Sequence, residues 1–170
     1  MKLLGAFLLV FACTWFGVEQ ARRLFLRQKC LGGMVEALRF MEAELKNNAV
    51  SLPELFEELG RVSRREVRGF FRALSESMAS LGEKSLTSLW SACVMNEGSL
   101  SLSSLQKSEL TRPGLSLGRY AGEEQLIALE SCAARLETEL LRASENARRG
   151  AKLYTGLGLI GGLMLATAVI

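Results

Sequence analysis

Residues 123–150 read EEQLIALESCAARLETELLRASENARRG, and this stretch decides the fold. Leu126, Leu129, Ala133, Leu136, Leu140, Ala143 and Ala147 recur within it at alternating spacings of three and four residues. That spacing puts them on one side of an α-helix, an a/d pattern sustained over three heptads. No proline follows, and Gly150 is the only weak point, so the helix is expected to continue unbroken into the uncharged residues 153–170.

Moving towards the N-terminus, the same period returns. Leu31, Met34, Leu38, Met41 and Leu45 form one apolar stripe on a helix expected from Arg22 to about Asn48, with Gly32-Gly33 as a point where it can bend. Such stripes normally face a core. Ser51-Leu52-Pro53-Glu54 reads as a capping box opening a short helix to about Gly60. Ser63-Arg64-Arg65-Glu66 reads as a second box, opening a helix with Val67, Phe70, Phe71, Leu74 and Met78 on one face. Another helix is expected from Ser85 to about Asn96, carrying Leu86, Leu89, Trp90 and Val94. A weaker one runs from Ser101 to Thr111 and stops before Pro113-Gly114. The fold class is all-α: a bundle of five to six helices whose first and last members can pair antiparallel.

Composition agrees. All 18 acidic residues are Glu, the chain holds only 2 Pro and no His, and net charge is +3. Glu favours helix interiors where Asp favours caps and turns. The four cysteines, Cys13, Cys30, Cys93 and Cys132, form no CxxC pair, and no His is present to complete a zinc site. Free thiols in a reducing compartment are expected.

The excess of apolar residues sits at the two ends. Residues 3–18 carry no charge and span roughly 24 Å as a helix, slightly less than a hydrocarbon core of about 30 Å. Lys2, Arg22 and Arg23 can snorkel over the deficit, and Trp15 and Phe16 suit an interfacial belt. A cleaved signal peptide needs a more basic start and a small-residue exit. Val10-Phe11-Ala12-Cys13 has a loose likeness to a lipoprotein box, but Phe11 is bulky and the apolar run continues past Cys13. An uncleaved anchor is the expectation.

Residues 153–170 are likewise uncharged and rich in Gly, which membrane helices tolerate. Gly158, Gly162 and Ala166 form a small-residue stripe of the GxxxG kind. It is either a helix-packing face or simply a glycine-rich span. Arg22, Arg23, Arg27 and Lys29 follow the first stretch, and Arg148, Arg149 and Lys152 precede the second. The positive-inside rule then places the middle in the cytosol and both termini outside it. The expected organisation is a transmembrane helix in 1–21, a cytosolic helical domain in 22–152 and a transmembrane helix in 153–170.

Catalysis is not expected. No glycine-rich loop precedes a Lys-Ser/Thr pair, and without His no Ser-His or Cys-His pair can be assembled. No metal, cofactor or catalytic residue is assigned. One charged feature stands out: Arg61, Arg64, Arg65, Arg68 and Arg72, largely opposite the Phe70/Phe71 face. The row is either a solvated face balanced by Glu57, Glu58 and Glu66, or a contact for anionic lipid or an acidic partner. Nucleic acid is not expected, since no aromatic residues interleave the arginines for base stacking.

Several segments together resemble the stage III sporulation protein AB family. These are Lys2-Leu3-Leu4-Gly5-Ala6, Thr14-Trp15-Phe16-Gly17 and Ala21-Arg22-Arg23 at the start. Glu42-Ala43-Glu44-Leu45 and Ser51-Leu52-Pro53-Glu54 resemble that family's L-E-x-E-I and T-P-L-P-E segments. Lys152-Leu153-Tyr154 and the run from Leu157 to Gly162 resemble its approach to the last span. Two features depart from the pattern: Ala121 stands where an Asp is usual, and the last helix lacks the common His.

The resemblance implies a relative of the inner-membrane platform proteins F of type II secretion and type IV pilus machines. It implies a non-enzymatic scaffold in the mother-cell membrane around the forespore. Its cytosolic domain would dock an ATPase of the stage III sporulation protein AA type, beside other membrane subunits of a channel linking the two cells. Membrane lipids and further copies of the chain are the remaining expected partners. The competing expectation is a membrane-tethered coiled-coil adaptor of another envelope assembly. The arginine row, with Ser51, Pro53 and Glu54, is the candidate docking surface.

Overall fold

The computed structural model describes residues 2–47, 50–96, 98, 100–117 and 123–169, although the side chains of 2–10, of Cys13 and of many residues beyond 150 lie outside the described set. Its order is α1 (Lys2–Asn47), α2 (Leu52–Val62), α3 (Arg65–Ser77) with a 3-10 turn at Met78–Ser80, α4 (Leu86–Asn96), α5 (Ser104–Ser116) and α6 (Glu123–Val169). Apart from one isolated bridge between Leu81 and Lys84, all regular structure among the described residues is helical. The all-α expectation holds.

The chain divides into two compact units, one of Lys29–Leu140 and one of Met1–Gln28 with Leu141–Ile170. Helices α1 and α6 contribute residues to both. In Lys29–Leu140 the predicted stripes face the core: Leu31, Met34, Leu38 and Met41 of α1 are buried, as are Leu129, Ala133 and Leu136 of α6. These two helices run antiparallel there. The Cβ direction of Gly32 points at Leu140, and Arg39 Nε bonds Glu137 Oε1 at 3.0 Å. That hydrogen bond, followed by the one to Glu42, raises the Arg39 guanidinium above its ordinary pKa.

The centre of this unit is aromatic. Trp90 has its ring edge-on to Phe70, with centroids 5.3 Å apart, and stands 6.0 Å from Phe56. These separations fall in the favourable range for ring pairs. The indole is fully buried, and its Nε1–H donates to the Leu110 carbonyl at 2.7 Å, so its one polar atom is satisfied.

In the other unit, Gly17, Ala21 and Ala147 are buried, whereas Phe11, Trp15, Phe16, Leu153, Ile160 and Met164 are exposed. Among the described residues no helix is long and apolar enough to cross a membrane. The stretches on which the two expected spans rest, 3–18 and 153–170, fall in large part on residues whose side chains lie outside the described set.

Three local expectations are corrected. Helix α5 does not stop before Pro113; it runs to Ser116 with Pro113 inside. Proline's fixed φ suits a helix, but its missing N–H leaves the carbonyl four residues back, that of Glu109, without its usual donor. Cys132 Sγ of α6 lies 3.7 Å from that oxygen and donates to it. Gly114 then admits Trp90: a Cβ there would stand 2.6 Å from the indole Cδ1. The Pro-Gly pair is therefore a seat for α4 rather than a terminator.

Neither predicted capping box forms. The Ser51 hydroxyl caps no backbone N–H and donates instead to Glu54 Oε2 at 2.8 Å. Ser63 cannot open α3 because it closes α2, its N–H donating to the Leu59 carbonyl at 3.1 Å. The reciprocal box lies at Ser103, whose Oγ accepts from Gln106 N at 3.3 Å while Gln106 Oε1 accepts from Ser103 N at 3.1 Å.

Candidate functional site

The α2–α3 corner is tight because only Ser63 and Arg64 separate the two helices. The last carbonyls of α2 need donors from outside the helix. Arg68 and Arg72, one turn apart on α3, reach back to supply them. Arg68 donates from Nε and NH2 to the Ser63 carbonyl at 3.1 and 2.9 Å, and Arg72 from Nε to the Gly60 carbonyl at 3.1 Å. Positive guanidinium groups also suit the negative end of the helix dipole.

The arginine row thus splits into two sets. Arg68 and Arg72 hold the corner together. Arg61, Arg64 and Arg65 are exposed. Arg61 pairs with Glu57 on its own helix, and Arg64 reaches Glu36 of α1. Arg65 makes no ion pair among the described residues. Ser51, Pro53 and Glu54 sit at the other end of α2 from Arg61, roughly 15 Å along the helix axis at 1.5 Å per residue. Arg61 lines a cleft with Gly60 and Arg72, Arg64 lies against Glu36 of α1, and the Ser51–Glu54 turn is at the far end of α2. Gly158, Gly162 and Ala166 lie on α6, but their side chains fall outside the described residues.

Beside Arg64 is a cleft that sequence reading missed. Its walls are Gly33, Glu36, Ala37 and Phe40 of α1 with Leu59, Val62, Ser63 and Arg64 of the corner, and its volume is about 180 Å³. Gly33 explains how the helices approach so closely. A Cβ there would stand 3.2 Å from Val67 Cγ2 and 3.3 Å from Arg64 Cβ, so this glycine serves close packing against α3. Val62 is 61% exposed at this cleft, while the neighbouring Ser63 is buried and its Oγ has no hydrogen-bond partner among the described residues. A signal was present in the sequence: Val62 is the one apolar residue in the charged run 61–66.

Cys30 and Cys132 are buried, and burial is the main cause that pushes both thiols up to about 11, far from the thiolate a nucleophile needs. Among the described residues no group of three or more His, Cys or acidic side chains is placed to hold a metal ion.

Fold and surface together define an all-helical protein with long terminal helices and a basic corner on its central unit. The match to known proteins narrows this class. The chain belongs to the stage III sporulation protein AB family, whose model matches residues 2–170, so its role lies in sporulation. It is 26% identical over 172 residues to stage III sporulation protein AB of Bacillus subtilis (strain 168), covering 97% of this chain and 96% of that protein. No solved structure matches it.

Proposed function

We propose that the protein is a non-enzymatic membrane platform whose central unit docks a cytosolic ATPase of the stage III sporulation protein AA type. The observation that carries this is how apolar and charged residues are shared between the units. Large side chains such as Trp15, Phe16, Leu153, Ile160 and Met164 are exposed in the unit of 1–28 and 141–170, while the cationic corner belongs to 29–140. Exposed apolar side chains on this scale mark a surface that water is not meant to cover. Two uncharged helical ends as bilayer spans, with arginines on their inner flanks, would leave 29–140 in the mother-cell cytosol.

The exposed arginines supply the docking charge. Arg65 has no counter-ion among the described residues, and Arg61 and Arg64 hold only exposed glutamates, so an acidic partner surface can displace those pairs at little cost. Topology is the first test. Cys30 and Cys132 are buried and will not report on sidedness, so a Lys84→Cys variant should be labelled with a membrane-impermeant maleimide, since Lys84 is exposed. Labelling only after lysis is expected. Labelling in intact cells would put the central unit on the wrong side of the bilayer for any cytosolic ATPase.

A further inference from the structure

We infer that the cleft beside Val62 receives one apolar side chain from a protein segment that carries carboxylates next to it. The inference rests on the docking proposal above and adds how docking occurs: an anchor residue in a pocket, ringed by charge pairs, rather than charge alone.

Size argues for a single side chain. The cleft holds about 180 Å³, below the roughly 300–1,000 Å³ typical of small-molecule sites. Its lining is mixed in a way that suits a protein occupant. Ala37, Phe40, Leu59 and Val62 are apolar, and Ser63 adds a polar atom. Ser63 is only 8% exposed, and its Oγ is buried with no hydrogen-bond partner among the described residues. Buried hydroxyls are normally paired, so this one lacks a contact that a peptide backbone group arriving with the anchor can supply.

Charge fixes the chemistry of the neighbours. Arg64 lines the cleft and crosses to Glu36, and Arg65, next to it in the chain, is exposed and makes no ion pair among the described residues, whereas Arg61 lines a separate cleft with Arg72. Carboxylates flanking the anchor meet the Arg64 and Arg65 guanidinium groups, for which bidentate pairing is available. Apolar anchors in closed pockets with a charged rim are the usual hot spots of protein interfaces.

The test uses the full chain reconstituted in bilayers of phosphatidylethanolamine and phosphatidylglycerol, with the purified ATPase as probe. Position 62 carries p-benzoylphenylalanine in one sample, and Val62→Glu, Val62→Leu and Arg65→Glu are measured in parallel. Val62 is exposed, so none of its changes disturbs the core. The expected adduct joins position 62 to an apolar residue of the ATPase within two positions of a carboxylate. Val62→Glu should weaken binding by roughly tenfold or more while Val62→Leu stays within about twofold of the parent. An adduct to phospholipid at position 62 would overturn the inference in favour of a lipid site. If Arg65→Glu weakens binding while Val62→Glu does not, the cleft is not the anchor site and the docking proposal survives. If the parent chain fails to bind the ATPase at all, both fall together.

Discussion

Cys132 Sγ donates to the backbone carbonyl of Glu109 at 3.7 Å, the carbonyl that Pro113 deprives of its helical donor. The contact ties α5 to α6 and lets a proline sit inside α5. A thiol is a weak donor, yet here it is buried and the carbonyl has no intrahelical amide to accept from.

Replacing that thiol should expose the dependence. Cys132→Ala is expected to cost about 1–2 kcal/mol through lost packing and an orphaned carbonyl. In a Pro113→Ala background the residue-113 amide can serve Glu109, so the loss should shrink by a measurable fraction. Urea unfolding of the four members of this double-mutant cycle checks it. Additive losses would mean that the thiol fills space and does nothing for the carbonyl.

Trp90 and Gly114 are equally interdependent. Gly114→Ala places a methyl 2.6–2.9 Å from three indole-region atoms of Trp90, which cannot be accommodated without displacing α4. A loss of about 2–3 kcal/mol is expected, with loss of the near-ultraviolet signal of the buried indole. Trp90→Phe in the same chain should not recover it, since phenylalanine keeps the Cβ, Cγ and Cδ1 atoms nearest that methyl.

The split of the arginine row predicts opposite outcomes along one helix. Arg68→Ala and Arg72→Ala remove donors from the carbonyls of Ser63 and Gly60 and should each cost about 1–2 kcal/mol in thermal or urea unfolding. Arg65→Glu should change stability by no more than about 0.5 kcal/mol and act only on ATPase capture. A combined Arg65/Arg68 reversal would confuse the two effects. If Arg68→Ala is as stable as the parent, its bonds to the corner are not structural.

Buried thiols give the alkaline limb. Cys30 and Cys132 are raised from 9.0 to about 11, so between those values the unfolded thiols ionise while the folded ones keep their protons. The folded state then binds more protons, and stability falls as pH rises through that window. It is fully present below about pH 9, and each thiol contributes a loss of at most about 3 kcal/mol by pH 11. Melting temperatures of the parent and of Cys30→Ala from pH 8 to 11 test this, because the variant should show the shallower decline.

Periodicity revealed the helices because burial follows it: Leu31, Met34, Leu38 and Met41, like Leu129, Ala133 and Leu136, turn inward together. Helix ends were less legible, since they turn on which of several competing groups meets a given backbone atom. Ser63 satisfies the pattern of a cap but is already engaged as the end of α2, and Ser103 succeeds because the Gln106 side chain returns the bond. Pro113 misled for a related reason: its effect depends on whether a distant residue, Cys132, attends the abandoned carbonyl. Of the site, the arginine residues were legible but their division was not. Arg68 and Arg65 are alike in type and spacing, and only the fold decides which of them finds a carbonyl. The cleft needed two segments, 33–40 and 59–64, brought together, and no window of sequence contains it.

The missing methyl at Gly114 also constrains how this protein can drift. While position 90 holds an indole, position 114 is closed to every other residue, since even the smallest side chain collides with it. A smaller ring does not release it, since phenylalanine or tyrosine at position 90 keeps the Cβ, Cγ and Cδ1 atoms that stand in the way. Exchange among ring types at position 90 therefore leaves position 114 as fixed as before, and gives the helix no route to a better former there.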